Sequence, residues 1–232
     1  MNSFIDDKEH RTSEELTRTV ALSDGIFAVA ITLLVLDISV PEIEGLSGNA
    51  LNGPLLTHLH DSIRGIICYV ISFLVIGAYW RAHHQIFQYI RRNDAVLTYL
   101  NLLLLLLVAF LPVPTGYIGS YGSSPVAVAF YAPVVILTGL LLWAIWVYAT
   151  TNHRLVDRDL NPDLIRYYTI TFLLSPVVFL LSIPVIYINV FAPIVSGPDL
   201  AKYFWILALP AHTICRRIYG RYVNSRNNDE VA

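Results

Sequence analysis

The chain of 232 residues is poor in charge. Asp, Glu, Lys and Arg make up 14% of it, against roughly 25% in ordinary soluble domains. Apolar residues make up 56% and mean hydropathy is +0.59. That balance excludes a water-soluble globular protein, and the longest polar stretches are the two tails and the connection 38–61. There are only two cysteines, Cys68 and Cys215. Both fall within apolar segments at a spacing that supports neither a disulfide nor a metal framework, so they read as small apolar fillers. No GxSxG, Walker, dinucleotide-binding or HExxH pattern occurs, and the chain is expected to be no enzyme and to hold no cofactor. A TVGYG-like carbonyl filter is missing too. So are basic stretches interleaved with aromatics, which excludes nucleic-acid binding.

What is present is apolar sequence in membrane-spanning lengths, predicting an all-α membrane protein. Six spans are read at about 18–40, 62–90, 94–118, 125–152, 163–190 and 200–224, together a transmembrane domain over 16–226. In the fifth, Pro176, Pro184 and Pro193 are expected to bend or end the helix. Residues 1–15 carry both signs of charge and no apolar core, so they read as a short disordered tail rather than a signal peptide. Residues 227–232 form a second tail. The glycines 116, 119 and 122, with Pro112, Pro114 and Pro125, mark an outer turn between spans three and four. Aromatics such as Trp143, Trp146, Tyr148 and Trp205 gather toward span ends, where an interfacial belt accounts for them. His58 and His60 read as solvated residues of the outer loop.

Basic residues fix the orientation. With six spans, 13 of the 15 Lys and Arg residues fall on the side that holds both termini; only Arg64 and Lys202 fall on the other. By the positive-inside rule that side is cytoplasmic.

The first span carries a Ser-Asp pair, Ser23 and Asp24, in an otherwise apolar helix. Carboxylates at the edge of hydrocarbon are costly and are given partners. At about 100° per residue, with Val29 as zero, Leu33 falls near +40°, Leu36 near −20°, Gly25 near −40° and Thr32 near −60°. This is one stripe of small, aliphatic and hydroxyl side chains. Asp24 lies about 140° away and Ser23 about 120° away on the other flank. Arg18 lies on a different side of the helix from Asp24, so the carboxylate is expected to find its partner on another helix. Trp80, Arg81, His83 and His84 at the end of span two, and Asn101 in span three, are the candidates. Trp80 and His83 share a face at i and i+3. Three readings of this cluster stand: a structural polar clamp, a proton relay through His83 or His84, and, least supported by spacing, a metal site.

The run Arg18, Leu22-Ser23-Asp24-Gly25 and Ala30 to Ile38 resembles the RxxxFSDG…AITLLVLEI first helix of the transmembrane protein 175 family of potassium channels. The YWxxHH run, the stretch from Asn101 to Thr115 and the six-span layout are similar to that family as well. Leu22 stands where the family has Phe, which predicts weaker packing of the motif. The resemblance implies a homotetramer in bacteria, each chain giving its first helix to a central pore; animal members carry two repeats and dimerise. The family's pore-lining positions fall on Val29, Thr32, Leu33 and Leu36, the stripe found from helical angles.

The expectation is therefore a leak-like channel selective for K+, with self and membrane lipid as its partners. Its pore would have an apolar constriction at Val29 that closes by dewetting. Thr32 would supply oxygens, and Asp37, Glu42 and Glu44 would draw cations to the outer mouth. Arg18, Ser23, Asp24, Trp80, His83, His84 and Asn101 would be scaffolding. The alternative is a proton-coupled or small-solute transporter using Asp24 with His83 or His84.

Overall fold

In a computed structural model, residues 2–38, 48–187, 197–206, 217 and 219 are described. Seven α-helices are found among them: α1 Asn2–Leu33, α2 Asn52–Tyr89, α3 Ala95–Phe110, α4 Pro112–Tyr121, α5 Pro125–Thr150, α6 Pro162–Val185 and α7 Gly197–Ile206. Five candidate spans are long and apolar enough to cross a membrane: Glu14–Leu36, Gly65–Tyr89, Ala95–Tyr121, Pro125–His153 and Pro162–Val185. The sixth span, read at 200–224, lies largely outside the described residues.

Several boundaries differ from the sequence reading. Helix α1 starts at Asn2, so residues 2–15 are helical rather than a disordered tail. Residues 2–24 contain neither Gly nor Pro, so the apolar helix propagates upstream. At its other end α1 tightens into a 3-10 turn, Leu34–Asp37. Helix α2 starts at Asn52, which puts His58 and His60 on a helix instead of a loop. Pro54 stands in the first turn, where its missing N–H leaves no gap in the ladder.

The expected outer turn between spans three and four narrows to residues 122–124, because Pro112–Tyr121 is helical. Pro112 and Pro114 both fall in the first turn of α4, where N–H groups have no helical acceptor. Helix α6 runs through Pro176 and Pro184 and ends at Val185, with Ile186 N–H turned back to Ile183 O at 3.2 Å.

Helix α5 is the centre of the fold, packed against α3, α4, α6 and α7. Its close approach to α6 depends on Gly139: a Cβ there would meet Pro176 Cγ at 2.6 Å. Trp146 is fully buried and donates to Thr169 Oγ1 at 3.1 Å. It is a core residue, not part of an interfacial belt, because α6 offers its indole a hydrogen-bond acceptor. Helix caps tie the loops down on the basic face. Asp94 accepts from Leu97 N at 2.8 Å at the start of α3, and Asn161 accepts from Asp163 N at 2.8 Å ahead of Pro162. The α2–α3 and α5–α6 loops are pinned together there. Arg91 N donates to Leu155 O at 2.8 Å, and Arg91 Nε lies 3.1 Å from Asp157 Oδ2.

Candidate functional site: the two faces of the first helix

Helix α1 packs on α2 and α3 through one narrow stripe. Ser23, Phe27, Ala30 and Leu34 are buried, spaced four, three and four apart as one helix face requires. Phe27 leans on the His83 ring at 5.6 Å, and Phe87, one turn beyond His83 on α2, stacks on its other neighbour face at 4.3 Å. His83 is thus held between two aromatic rings.

Polar groups in this contact form a directed chain. Ser23 Oγ donates to Thr19 O at 2.8 Å, one turn back on α1. Asn101 Nδ2 donates to Ser23 Oγ at 3.0 Å. Asn101 Oδ1 lies 2.9 Å from His83 Nε2. Because a carboxamide oxygen only accepts, this arrangement puts a proton on Nε2 of His83. Ser23, His83 and Asn101 are all buried, so one residue from each of three helices locks their register. Nδ1 of His83 is buried with no hydrogen-bond partner among the described residues.

Asp24 stands apart from that chain. Its Oδ1 accepts from Trp80 Nε1 at 2.8 Å, at the half-exposed edge of the contact. His84 stacks on Trp80 with centroids 5.7 Å apart and is itself exposed. The sequence reading placed Ser23, Asp24, Trp80, His83 and Asn101 in one cluster around a buried carboxylate. They divide into a buried chain and a peripheral carboxylate–indole bond, because consecutive residues on a helix point about 100° apart. Arg18 is exposed and lies outside both. The sequence reading also missed Thr19, Phe27 and Phe87. Their signal was available: Thr19 and Phe27 flank Ser23 at i−4 and i+4, and Phe87 follows His83 at i+4.

Opposite lies a face that nothing among the described residues covers. Val29 is 56% exposed, Leu33 42% and Leu36 74%, and Thr32, Gly25 and Ala28 are exposed too. These include all four residues of the predicted stripe. In the 3-10 turn residues step by about 120° rather than 100°, so Leu36 eclipses Leu33 and the stripe stays straight to its end. Thr32 Oγ1 donates its proton to Val29 O at 2.8 Å. Asp37 closes that turn, while Glu42 and Glu44 lie outside the described residues. Among the described residues no three His, Cys, Asp or Glu side chains come together as a metal site.

A family model described as endosomal/lysosomal potassium channel TMEM175 matches residues 18–112, the segment that holds both the polar chain and the stripe. A potassium channel of Streptomyces collinus is 36% identical over 203 residues, covering 86% of this chain and 96% of that one. The chain belongs to the TMEM175 family. The crystal structure of a TMEM175 homologue from Chamaesiphon minutus, described as a lysosomal potassium-selective channel homologue, superposes with a TM-score of 0.65 at 29% identity. That match covers 84% of this chain and 98% of the other. The cattle TMEM175, named an endosomal/lysosomal proton channel, is 32% identical over 139 residues, 57% of this chain and 29% of its own length. The Streptomyces channel and the Chamaesiphon homologue are thus matched nearly end to end, and the cattle protein over under a third.

Proposed function

We propose that this TMEM175 chain is a potassium channel whose pore is lined by α1 from four copies around a central axis. What carries the reading is the uncovered stripe Val29, Thr32, Leu33 and Leu36, on a helix whose opposite face is fixed by buried hydrogen bonds. Other outward faces, such as that of α2, are aliphatic as well; this stripe differs in carrying the Thr32 hydroxyl and in being aimed outward by the buried bonds behind it. A ring of four such stripes encloses an apolar conduit that passes ions when wetted and closes by dewetting. Potassium sheds water more readily than sodium, which favours it in a narrow apolar passage. The Thr32 hydroxyl, its proton committed to Val29 O, turns its lone pairs away from the helix and can replace lost water oxygens. Asp37, Glu42 and Glu44 would concentrate cations at the outer mouth. Both termini would lie in the cytoplasm of a bacterial cell.

The polar residues act here as scaffold. A relay through Ser23, Asn101 and His83 would end on the Thr19 carbonyl, which has no proton to pass on, and Asp24 is not part of that chain. The test is flux in liposomes holding only the purified protein. Passive current that follows the potassium gradient is expected, with Thr32→Val moving the reversal potential toward sodium. Saturable, pH-driven uptake that disappears on His83→Gln would overturn the channel reading in favour of a proton-coupled transporter. An unchanged reversal potential in Thr32→Val would remove Thr32 from the selectivity mechanism.

A further inference from the structure

Far from the stripe, a groove of about 460 Å³ opens between α3 and the last turns of α5. Leu100, Trp143 and Val147 line its apolar part, and Asn152 and Arg154 stand at its rim. The rim is built at some conformational expense: Asn152 and His153 both take left-handed backbone angles, φ 53° and 51°. That double turn, closed by Leu155 N–H on Ala149 O at 3.0 Å, brings the Arg154 guanidinium to 4.9 Å from the centroid of the Tyr148 ring. The nearby carboxylate, Asp94, is already bonded twice, to Leu97 N–H and to the Tyr148 hydroxyl at 2.6 Å. Among the described residues Arg154 has no carboxylate partner, and its side chain is exposed.

Two further observations sit in the same groove. The Trp143 indole nitrogen is buried with no hydrogen-bond partner among the described residues. Trp143 also lies seven residues before the end of α5 at Thr150, roughly 10 Å deeper in the membrane than the rim. A cation at the rim, with Val147, Leu100 and the deeper Trp143 ring below it, repeats the order phosphate then acyl chain of a phospholipid. The face is also the one that collects the basic residues, where anionic lipid is attracted.

We propose that this groove binds one anionic phospholipid from the leaflet on the basic side. Its phosphate pairs with Arg154, and an acyl chain lies along Val147, Leu100 and the Trp143 ring. The proposal goes beyond the channel reading and depends on none of its steps. It requires only that α5 cross the membrane with its Arg154 end toward an anionic leaflet.

The full-length protein in phosphatidylcholine vesicles tests it, using phosphatidylglycerol or phosphatidylcholine with brominated acyl chains as the probe. Bromine quenches tryptophan on contact, and Trp143→Phe identifies the share of the quenching that belongs to this groove. The Trp143 share should respond to brominated phosphatidylglycerol about fivefold more strongly than to brominated phosphatidylcholine, the weight of one basic residue at an anionic surface. Arg154→Gln should abolish that preference and Arg154→Lys should largely retain it. Native mass spectrometry of wild type and Arg154→Gln, counting retained phosphatidylglycerol, gives a readout independent of Trp143→Phe. Equal quenching by the two lipids, or a preference that survives Arg154→Gln, overturns the proposal. So does the loss of any Trp143 share, the result expected if a second copy of the chain covers the groove.

Discussion

Helices α5 and α1 are both long and apolar, yet the chain treats them differently. Helix α5 buries fourteen of its residues, spread around most of its circumference, against α3, α4, α6 and α7. Among the described side chains of α1 and its terminal turn, Ser23, Phe27, Ala30 and Leu34 are the buried ones. On α5 the fold is complete within one copy, and its tolerances are steric. On α1 one face is finished with polar bonds and the other is left open. The polar bonds therefore have a second effect beyond holding α1: they fix which residues face outward. An apolar contact alone would let the helix rotate by a residue at modest cost, whereas the Ser23–Asn101 bond has one register.

The sharpest way to break that distinction is Asn101→Leu. Among the described residues it removes the one side chain that bonds both Ser23 and His83, leaving the buried His83 Nε2 without a partner while Ser23 Oγ keeps its bond to Thr19 O. One orphaned buried group costs about 1–3 kcal/mol, and a loss of that size is expected as a drop in thermal stability in detergent. An unchanged melting temperature would mean that α1 is held by packing alone.

On the other side of the comparison, Gly139→Ala should destabilise α5 against α6 by about 1–3 kcal/mol, the usual cost of overpacking. The added methyl would meet Pro176 Cγ at 2.6 Å. Conduction per folded channel should remain as in wild type, since α5 does not touch the stripe. A Gly139→Ala protein that folds normally but conducts with altered selectivity would show that the two regions are not separable.

A smaller effect is expected from Trp80→Phe. The indole's bond to Asp24 is charge-assisted, but Trp80 is 41% exposed and solvent competes for the carboxylate. About 1 kcal/mol or less is expected after that discount. Asp24→Ala should instead weaken assembly, read as dissociation of the oligomer in detergent. A fully stable oligomer would assign Asp24 to conduction.

Much of this was legible beforehand, and the reasons are specific. The stripe on α1 was readable because Val29, Leu33 and Leu36 recur at helical spacing and the helix stays regular through Leu33. The partners of Ser23 were readable because few polar residues lie at matching depth in the next two spans. What the sequence hid was the division between Ser23 and Asp24, since adjacent letters in the chain point to different neighbours. It also hid the extent of the helices. The prolines at 112, 114 and 54 look like breaks but sit in first turns, where they cost no hydrogen bond. Trp146 looked interfacial because nothing in the letters shows that Thr169, on the next helix, meets its indole.

Leu36→Asn should have the smallest effect on folding and a disproportionate one on function. The side chain is 74% exposed within the chain, so the change in stability of a single copy should stay within about 0.5 kcal/mol. If four copies of α1 line the pore as proposed, the same amide would wet a ring that is otherwise wholly aliphatic. Dewetting depends on apolar walls, so the closed state should become harder to reach and resting current should rise. Leu36 stands in register with Leu33 through the 3-10 turn, so Leu33→Asn should act in the same direction. Leu137→Asn on α5, a 50% exposed leucine on the outside of the fold, is the control and should leave current unchanged. If Leu36→Asn and Leu137→Asn give the same current as wild type, the bare stripe of α1 faces lipid like any outer helix surface. The contrast between the two helices would then be one of degree.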